Sequence, residues 1–317
     1  MRWTRSAAKV FAASTALLVS GCSDTDRQVT ASQSSLTPAL GEIVMIDGKR
    51  THVLDIGQGP TVVMLHGASG NLRDFTFSLT DKLKNRYRII AFDRPGLGYS
   101  EALSAAGDSP QEQARHLAKV LDAKRVRKAL IVGHSFGGSV AMAWALERPD
   151  QVAGVVTLGG AVMPWPGKLS SWYSIASSGF GSAAIVPVAV ALTPRGIVGR
   201  IVGKLFEPDQ TPNGYLEYVG VDLTLRTPVI RANTRQINNL KGHLQVMSVQ
   251  YPSVRVPVEI LHGEADDIVP ASVHAQGMHA LLPDSRLTLL PETGHMPHHA
   301  QPGATVATID SAAKRSG

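Results

Sequence analysis

The chain has almost no cysteine. Cys22 is the single one in 317 residues, so no disulfide closes within it and a disulfide scaffold is excluded. It lacks long runs of one charge as well. The densest basic stretch, Lys124-Arg125-Val126-Arg127-Lys128, reads as a solvated helix-to-strand connection. The net charge of +6 includes Arg2, Arg5 and Lys9, and the first 21 residues hold no Asp or Glu, so without that segment it falls to 6 − 3 = +3. So small and dispersed a charge gives no footing for nucleic acid. No internal repeat is present, which excludes a solenoid. What the chain does have is 44% hydrophobic against 18% charged residues, enough for a sizeable core. Its length suits one large α/β domain with an insertion, or two small domains.

The first 21 residues read as a targeting segment. Arg2, Arg5 and Lys9 form a positive region, and Val10–Val19 an apolar one that is too short to span a bilayer, which takes about 20 residues. It ends in Leu18-Val19-Ser20-Gly21-Cys22, which resembles the lipobox of bacterial lipoproteins. That resemblance implies lipidation of Cys22, export, and a membrane anchor. Ser23, rather than Asp, after the cysteine favours the outer membrane, facing the periplasm. Residues 22–41 are rich in Ser and Thr without hydrophobic periodicity and read as a flexible tether.

Beyond the tether, apolar runs alternate with helical spacing. Strands are expected at 43–46, 51–55, 61–65, 88–92, 129–132, 152–158, 256–261 and 286–290, the first two forming a hairpin around Asp47-Gly48. Helices are expected across 74–83, across 110–123 with Ser109-Pro110 as cap and first turn, after residue 135, near 271–282, and briefly at the end. Continuous apolar strands alternating with helices mean a mostly parallel sheet covered on both faces. The alternation stops between 161 and 253. That stretch holds apolar helical material around 183–206 and a polar helix over 229–249. It reads as a lid inserted between two halves of a core, 42–160 and 254–317.

The string Gly133-His134-Ser135-Phe136-Gly137 falls between the apolar strand Ala129-Leu130-Ile131-Val132 and a helix. Gly-x-Ser-x-Gly in a strand–turn–helix setting is a nucleophile elbow: the turn is too tight for a side chain two residues either side of the serine. A serine hydroxyl needs a base, and the base an orienting acid, in the chain order Ser, acid, His. Gly263-Glu264-Ala265-Asp266-Asp267 follows one late strand, and Gly294-His295 follows the last.

Together with Leu65-His66-Gly67 and Asp93-Arg94-Pro95-Gly96-Leu97-Gly98-Tyr99-Ser100, these strings resemble the α/β-hydrolase superfamily over residues 42–312. The resemblance implies a nucleophile Ser135, a base His295 and an acid Asp266, with Asp267 the alternative acid and Glu264 a weaker one. It implies an oxyanion hole from the backbone N–H groups of Ala68 and Phe136, and no metal or organic cofactor. Haloalkane dehalogenases and epoxide hydrolases of this fold carry Asp where Ser135 stands, so neither chemistry is expected. The implied activity is hydrolysis of a small carboxylic ester or acyl compound, falling in acid because the base must be neutral. A carbon–carbon hydrolase or a cofactor-free perhydrolase uses the same triad, and a non-catalytic binding protein would keep the fold.

His66, His134 and His262 read as packing or supporting residues, and Asp93 and Arg94 as a structural turn. The cluster His295, His298, His299 shows no further ligand at metal spacing. Ser69 reads as a turn hydroxyl. Trp165, Trp172 and Tyr173 at the start of the lid suit either an acyl pocket or lid core. Neither the acyl group nor the oligomeric state follows from the sequence.

Overall fold

A computed structural model describes residues 37–104, 109–178, 181 and 195–316. The expected signal segment, Cys22, most of the tether and the apolar stretch 182–194 lie outside the described residues, as does the side chain of Trp172.

Eight strands form one sheet: β1 (Glu42–Ile46), β2 (Lys49–Ile56), β3 (Thr61–Leu65), β4 (Arg88–Phe92), β5 (Ala129–His134), β6 (Val152–Leu158), β7 (Val258–Gly263) and β8 (Ser285–Leu290). Their spatial order is β1-β2-β4-β3-β5-β6-β7-β8. The β1–β2 hairpin pairs antiparallel internally and with β4, and the remaining pairings are parallel. Chain order reverses between β3 and β5, opening the crevice at carboxyl strand ends where such sheets bind ligands.

The central strands are buried on both faces because their residues are apolar without alternation. Val63 and Leu65 of β3, with Ile90 and Phe92 of β4, enter one core layer, while Val62, Met64, Ile89 and Ala91 enter the other. The first layer is closed by α3 (Pro110–Ala123) and α4 (Phe136–Glu147), and the second by α1 (Arg73–Thr76), α2 (Leu79–Leu83) and the terminal helix, which is long rather than brief, Pro302–Ser316. The N-terminus of α3 is a capping box: Glu112 N–H donates to Ser109 Oγ, and Ser109 N–H to Glu112 Oε2.

The single helix expected across 74–83 is two short ones. The break falls at Ser78, whose φ of −153° leaves the helical region, next to Phe77, whose ring packs edge-on against Tyr215, Tyr218 and His299. Tertiary packing there overrides helical spacing. The tether is also shorter than its composition suggests. Thr37 is buried, its carbonyl accepts from Tyr99 Oη, and Pro38 O accepts from Arg73 Nη2 at 2.6 Å. Residues 37–41 therefore belong to the folded body.

Between β6 and β7 the described chain runs through α5 (Ser171–Ser177), α6 (Arg195–Phe206), α7 (Tyr215–Val219), α8 (Val221–Thr224) and α9 (Thr227–Ser248). This cap lies over the carboxyl ends of the strands, as its contacts below show. Among the described residues no helix is long and apolar enough to cross a membrane.

Candidate active site

Ser135 occupies φ 52°, ψ −120°, a positive-φ conformation costly for a residue with a Cβ. The surrounding glycines make it attainable. A Cβ on Gly133 would overlap the carbonyl of Gly137, and one on Gly137 would overlap Leu65 O. The turn thus sets Ser135 at the carboxyl end of β5, immediately before α4.

The loops after β7 and β8 meet at this point. Ala265 N–H donates to Thr293 O at 3.0 Å, and a Cβ on Gly263 would overlap Thr293 O and Gly294 O. Their closeness brings Asp266 to His295 across 29 residues. His295 Nδ1 lies 2.7 Å from Asp266 Oδ2, and His295 Nε2 3.0 Å from Ser135 Oγ. All three side chains are buried. Asp266 Oδ1 accepts from the N–H groups of Ile268 and Val269 at 2.9 and 2.8 Å. Asp267 and Glu264 are exposed.

The chain is similar to known proteins in the same sense. A family model for the alpha/beta hydrolase fold matches residues 60–184. The fold superposes with a TM-score of 0.70 on a thermophilic esterase from Thermogutta terrifontis, 20% identical, covering 87% of this chain and 99% of that one. This chain has the α/β-hydrolase fold. An uncharacterized protein of Mycobacterium tuberculosis is 29% identical over 282 residues, covering 84% of this chain and 78% of the relative. A 2-hydroxy-6-oxo-6-phenylhexa-2,4-dienoate hydrolase of Burkholderia cepacia is 27% identical over 266 residues, covering 78% and 85%.

Within this site, burial alone would raise the Asp266 carboxyl. Hydrogen bonds from His262 and His295 and their charges outweigh it and hold that carboxyl well below the ordinary carboxylate value. Phe136 is the first residue of α4, where a backbone N–H has no partner within the helix. On the Ala68 side of the crevice, a Cβ on Gly67 would lie 3.0 Å from His134 Nδ1 and from Ser135 Cβ.

Arg94, read from the sequence as part of a structural turn, does more than shape it. It is buried, donates from Nε to His66 O at 2.8 Å and from Nη2 to Gly67 O at 3.0 Å, and stacks 4.3 Å over the Phe136 ring. It therefore braces the His66–Gly67 backbone against Phe136, the first residue of α4. His66 accepts from Arg94 N–H, and burial followed by the Arg94 charge pushes its pKa down to about 4. Asp93 is structural, accepting from the N–H groups of Leu72 and Tyr99 and pairing with His52.

Ser69 is held rather than free to bind substrate. Its N–H donates to Asn233 Oδ1 at 2.7 Å, and its Oγ accepts from Asn233 Nδ2 at 2.8 Å. Asn233 sits on α9, so the cap grips the Ala68 loop directly. Trp165 packs on His274 at 6.2 Å between rings and against the main core layer. Tyr173 is half-buried on α5. Among the described residues no hydrogen bond or ring contact joins Trp165 or Tyr173 to Ser135.

The tertiary structure supplies the ligand-type partner that spacing did not reveal for His298 and His299. Asp74 accepts from His298 Nε2 at 3.1 Å, His299 Nε2 at 2.8 Å and Tyr215 Oη at 2.7 Å. Asp74, His298 and His299 are the donor set among the described residues that could hold a metal ion. Three donors on one carboxylate also make a hydrogen-bonded hub, although His298 Nδ1 and His299 Nδ1 are buried without a partner among the described residues. Burial would raise Asp74, but His298 and His299 outweigh it and hold its carboxyl well below 3.8. A depressed folded pKa contributes stability that is present above the unfolded value and lost as pH falls through the folded one. Asp74→Asn is therefore expected to cost about 1–3 kcal/mol at neutral pH and progressively less below pH 3.8. Urea unfolding of both proteins across that range measures it, and parallel pH profiles would refute it.

Proposed function

We propose that this hydrolase cleaves carboxylic esters or related acyl compounds through Ser135, His295 and Asp266. The observation that carries the reading is the unbroken line from Ser135 Oγ to His295 Nε2, and from His295 Nδ1 to Asp266 Oδ2, at 3.0 and 2.7 Å. Ser135 Oγ attacks the acyl carbon while His295 Nε2 takes its proton. Asp266 accepts from Nδ1–H and stabilises the imidazolium. The N–H groups of Phe136 and Ala68 receive the oxyanion, each such donor being worth on the order of a hundredfold in rate. His295 returns the proton to the leaving oxygen, and water, activated by the same nitrogen, releases the acid.

A second reading has a specific support. The Burkholderia cepacia relative is a hydrolase of a 2-hydroxy-6-oxo-dienoate, and the likeness runs over 266 residues. The same Ser–His pair would then serve carbon–carbon cleavage. The test is turnover of p-nitrophenyl esters of increasing acyl length beside a 2-hydroxy-6-oxo-dienoate, on protein lacking residues 1–22. Ester turnover with no dienoate turnover supports the first reading, and the reverse replaces it. The acyl-length optimum sizes the pocket.

The place of action is a proposal resting on sequence alone. The Leu18–Cys22 string supports a lipid on Cys22, with the folded hydrolase tethered to an outer membrane facing the periplasm. Loss of membrane association in Cys22→Ser is the expected result.

A further inference from the structure

The loop that carries His295 is not held by the core alone. The cap segment between α6 and α7 reaches it at three places. Gly294 N–H donates to Asp209 Oδ2 at 3.0 Å. The backbone of Phe206 and Glu207 lies so close on Gly294 that a Cβ there would overlap Glu207 O, so this position needs glycine for approach rather than for turning. Below the loop, Tyr215 Oη donates 2.7 Å to Asp74, which also holds His298 and His299 on the turn immediately after His295. Apolar packing fills the space between: Phe206, Tyr215 and Met296 form one buried cluster, and the Tyr215 and Phe206 rings lie 5.0 and 5.6 Å from His299.

The hub reaches the base from the other side as well. His134, the residue before the nucleophile, donates from Nε2 to the His295 carbonyl at 3.0 Å, and its ring lies 4.5 Å from that of His298. The His295 backbone is thus tied to the elbow in front and to the cap behind.

We infer that Asp209 and Tyr215 of the cap are positioning residues for His295, so that the seated cap sets the base as well as covering the crevice. This rests on the proposed role of His295 and goes beyond it. A base must sit within hydrogen-bond reach of the serine proton, and misplacement by about 1 Å costs on the order of a hundredfold. Asp209 is the sharper lever, because its contact is one carboxylate oxygen on one amide next to the base. Asp209→Asn keeps an oxygen acceptor for Gly294 N–H, while Asp209→Ala removes it.

The experiment compares Asp209→Ala, Asp209→Asn and Tyr215→Phe with the parent protein. Two readouts are taken: steady-state ester hydrolysis, and the downfield proton resonance of His295 Nδ1–H, which needs no substrate. Expected are a kcat lowered about tenfold to a hundredfold in Asp209→Ala, the range known for partners that orient metal-bound histidines, with KM within about twofold. Asp209→Asn should recover most of the rate. The Nδ1 proton signal should broaden or shift in Asp209→Ala and Tyr215→Phe. Unchanged kcat and an unchanged signal in both would overturn the inference and leave the contacts as packing. Should Asp209→Ala fail to fold, Tyr215→Phe, which removes one oxygen, decides. Should the parent protein turn over no ester, the reading of Ser135 as an acyl nucleophile fails by itself, and the proton signal still tests the clamp.

Discussion

Ser135→Ala is expected to lower kcat for ester hydrolysis on the order of a millionfold, with the fold intact. The magnitude follows from the line of hydrogen bonds: without Oγ there is nothing for His295 to deprotonate, and water must attack unaided. What remains is binding and backbone stabilisation of the oxyanion. The fold should survive because alanine retains the Cβ already present at φ 52°, so the turn carries the same strain. A fluorophosphonate probe, which reports the nucleophile without a productive substrate, should label the parent protein and leave the variant unlabelled. Labelling that persists in Ser135→Ala would place the nucleophile elsewhere.

Asp266→Asn should lower kcat about a thousandfold to ten-thousandfold, with Tm little changed. The amide can still accept from the N–H groups of Ile268 and Val269 through its oxygen, where Asp266 Oδ1 now accepts at 2.9 and 2.8 Å. Its NH2 then faces His295 Nδ1 and donates to it. That selects the tautomer with a proton on Nε2, and the nitrogen aimed at Ser135 Oγ can no longer take one. Asp267→Asn, at an exposed neighbour, should stay within about twofold. Equal losses in the two variants would reopen the choice of acid. Asp266 also bears on the pH profile with a definite sign. Its carboxyl is held below 3.8, so it stays ionised above that value. A fall in kcat/KM at higher pH, on the way down from neutral, belongs to another group.

Much of the site was legible in the sequence because it is made of local geometry. The Gly133–Gly137 string forces one backbone conformation, and that conformation decides where the Ser135 hydroxyl points. Strand ends at Leu65, Leu261 and Leu290 put His66-Gly67, Asp266 and His295 on one edge, because parallel strands present their carboxyl ends together.

Other features depended on residues far apart in the chain. The helix expected over 74–83 breaks at Ser78, next to Phe77, whose ring meets Tyr215 and Tyr218 of the cap. Asp74 carries no motif, and its partner His298 lies 224 residues away. Asn233 on Ser69 and Asp209 on Gly294 join cap to core across 164 and 85 residues. Periodicity reports which face of an element is apolar, and motifs report local turns. Neither encodes which distant polar groups will share a buried volume. The sequence therefore determined the alternating core and the Ser, Asp and His on its loops. Only the tertiary structure decided that Asp266 rather than Asp267 meets His295, and that Asp209 of the cap meets Gly294, because both depend on a hydrogen bond closing across the fold.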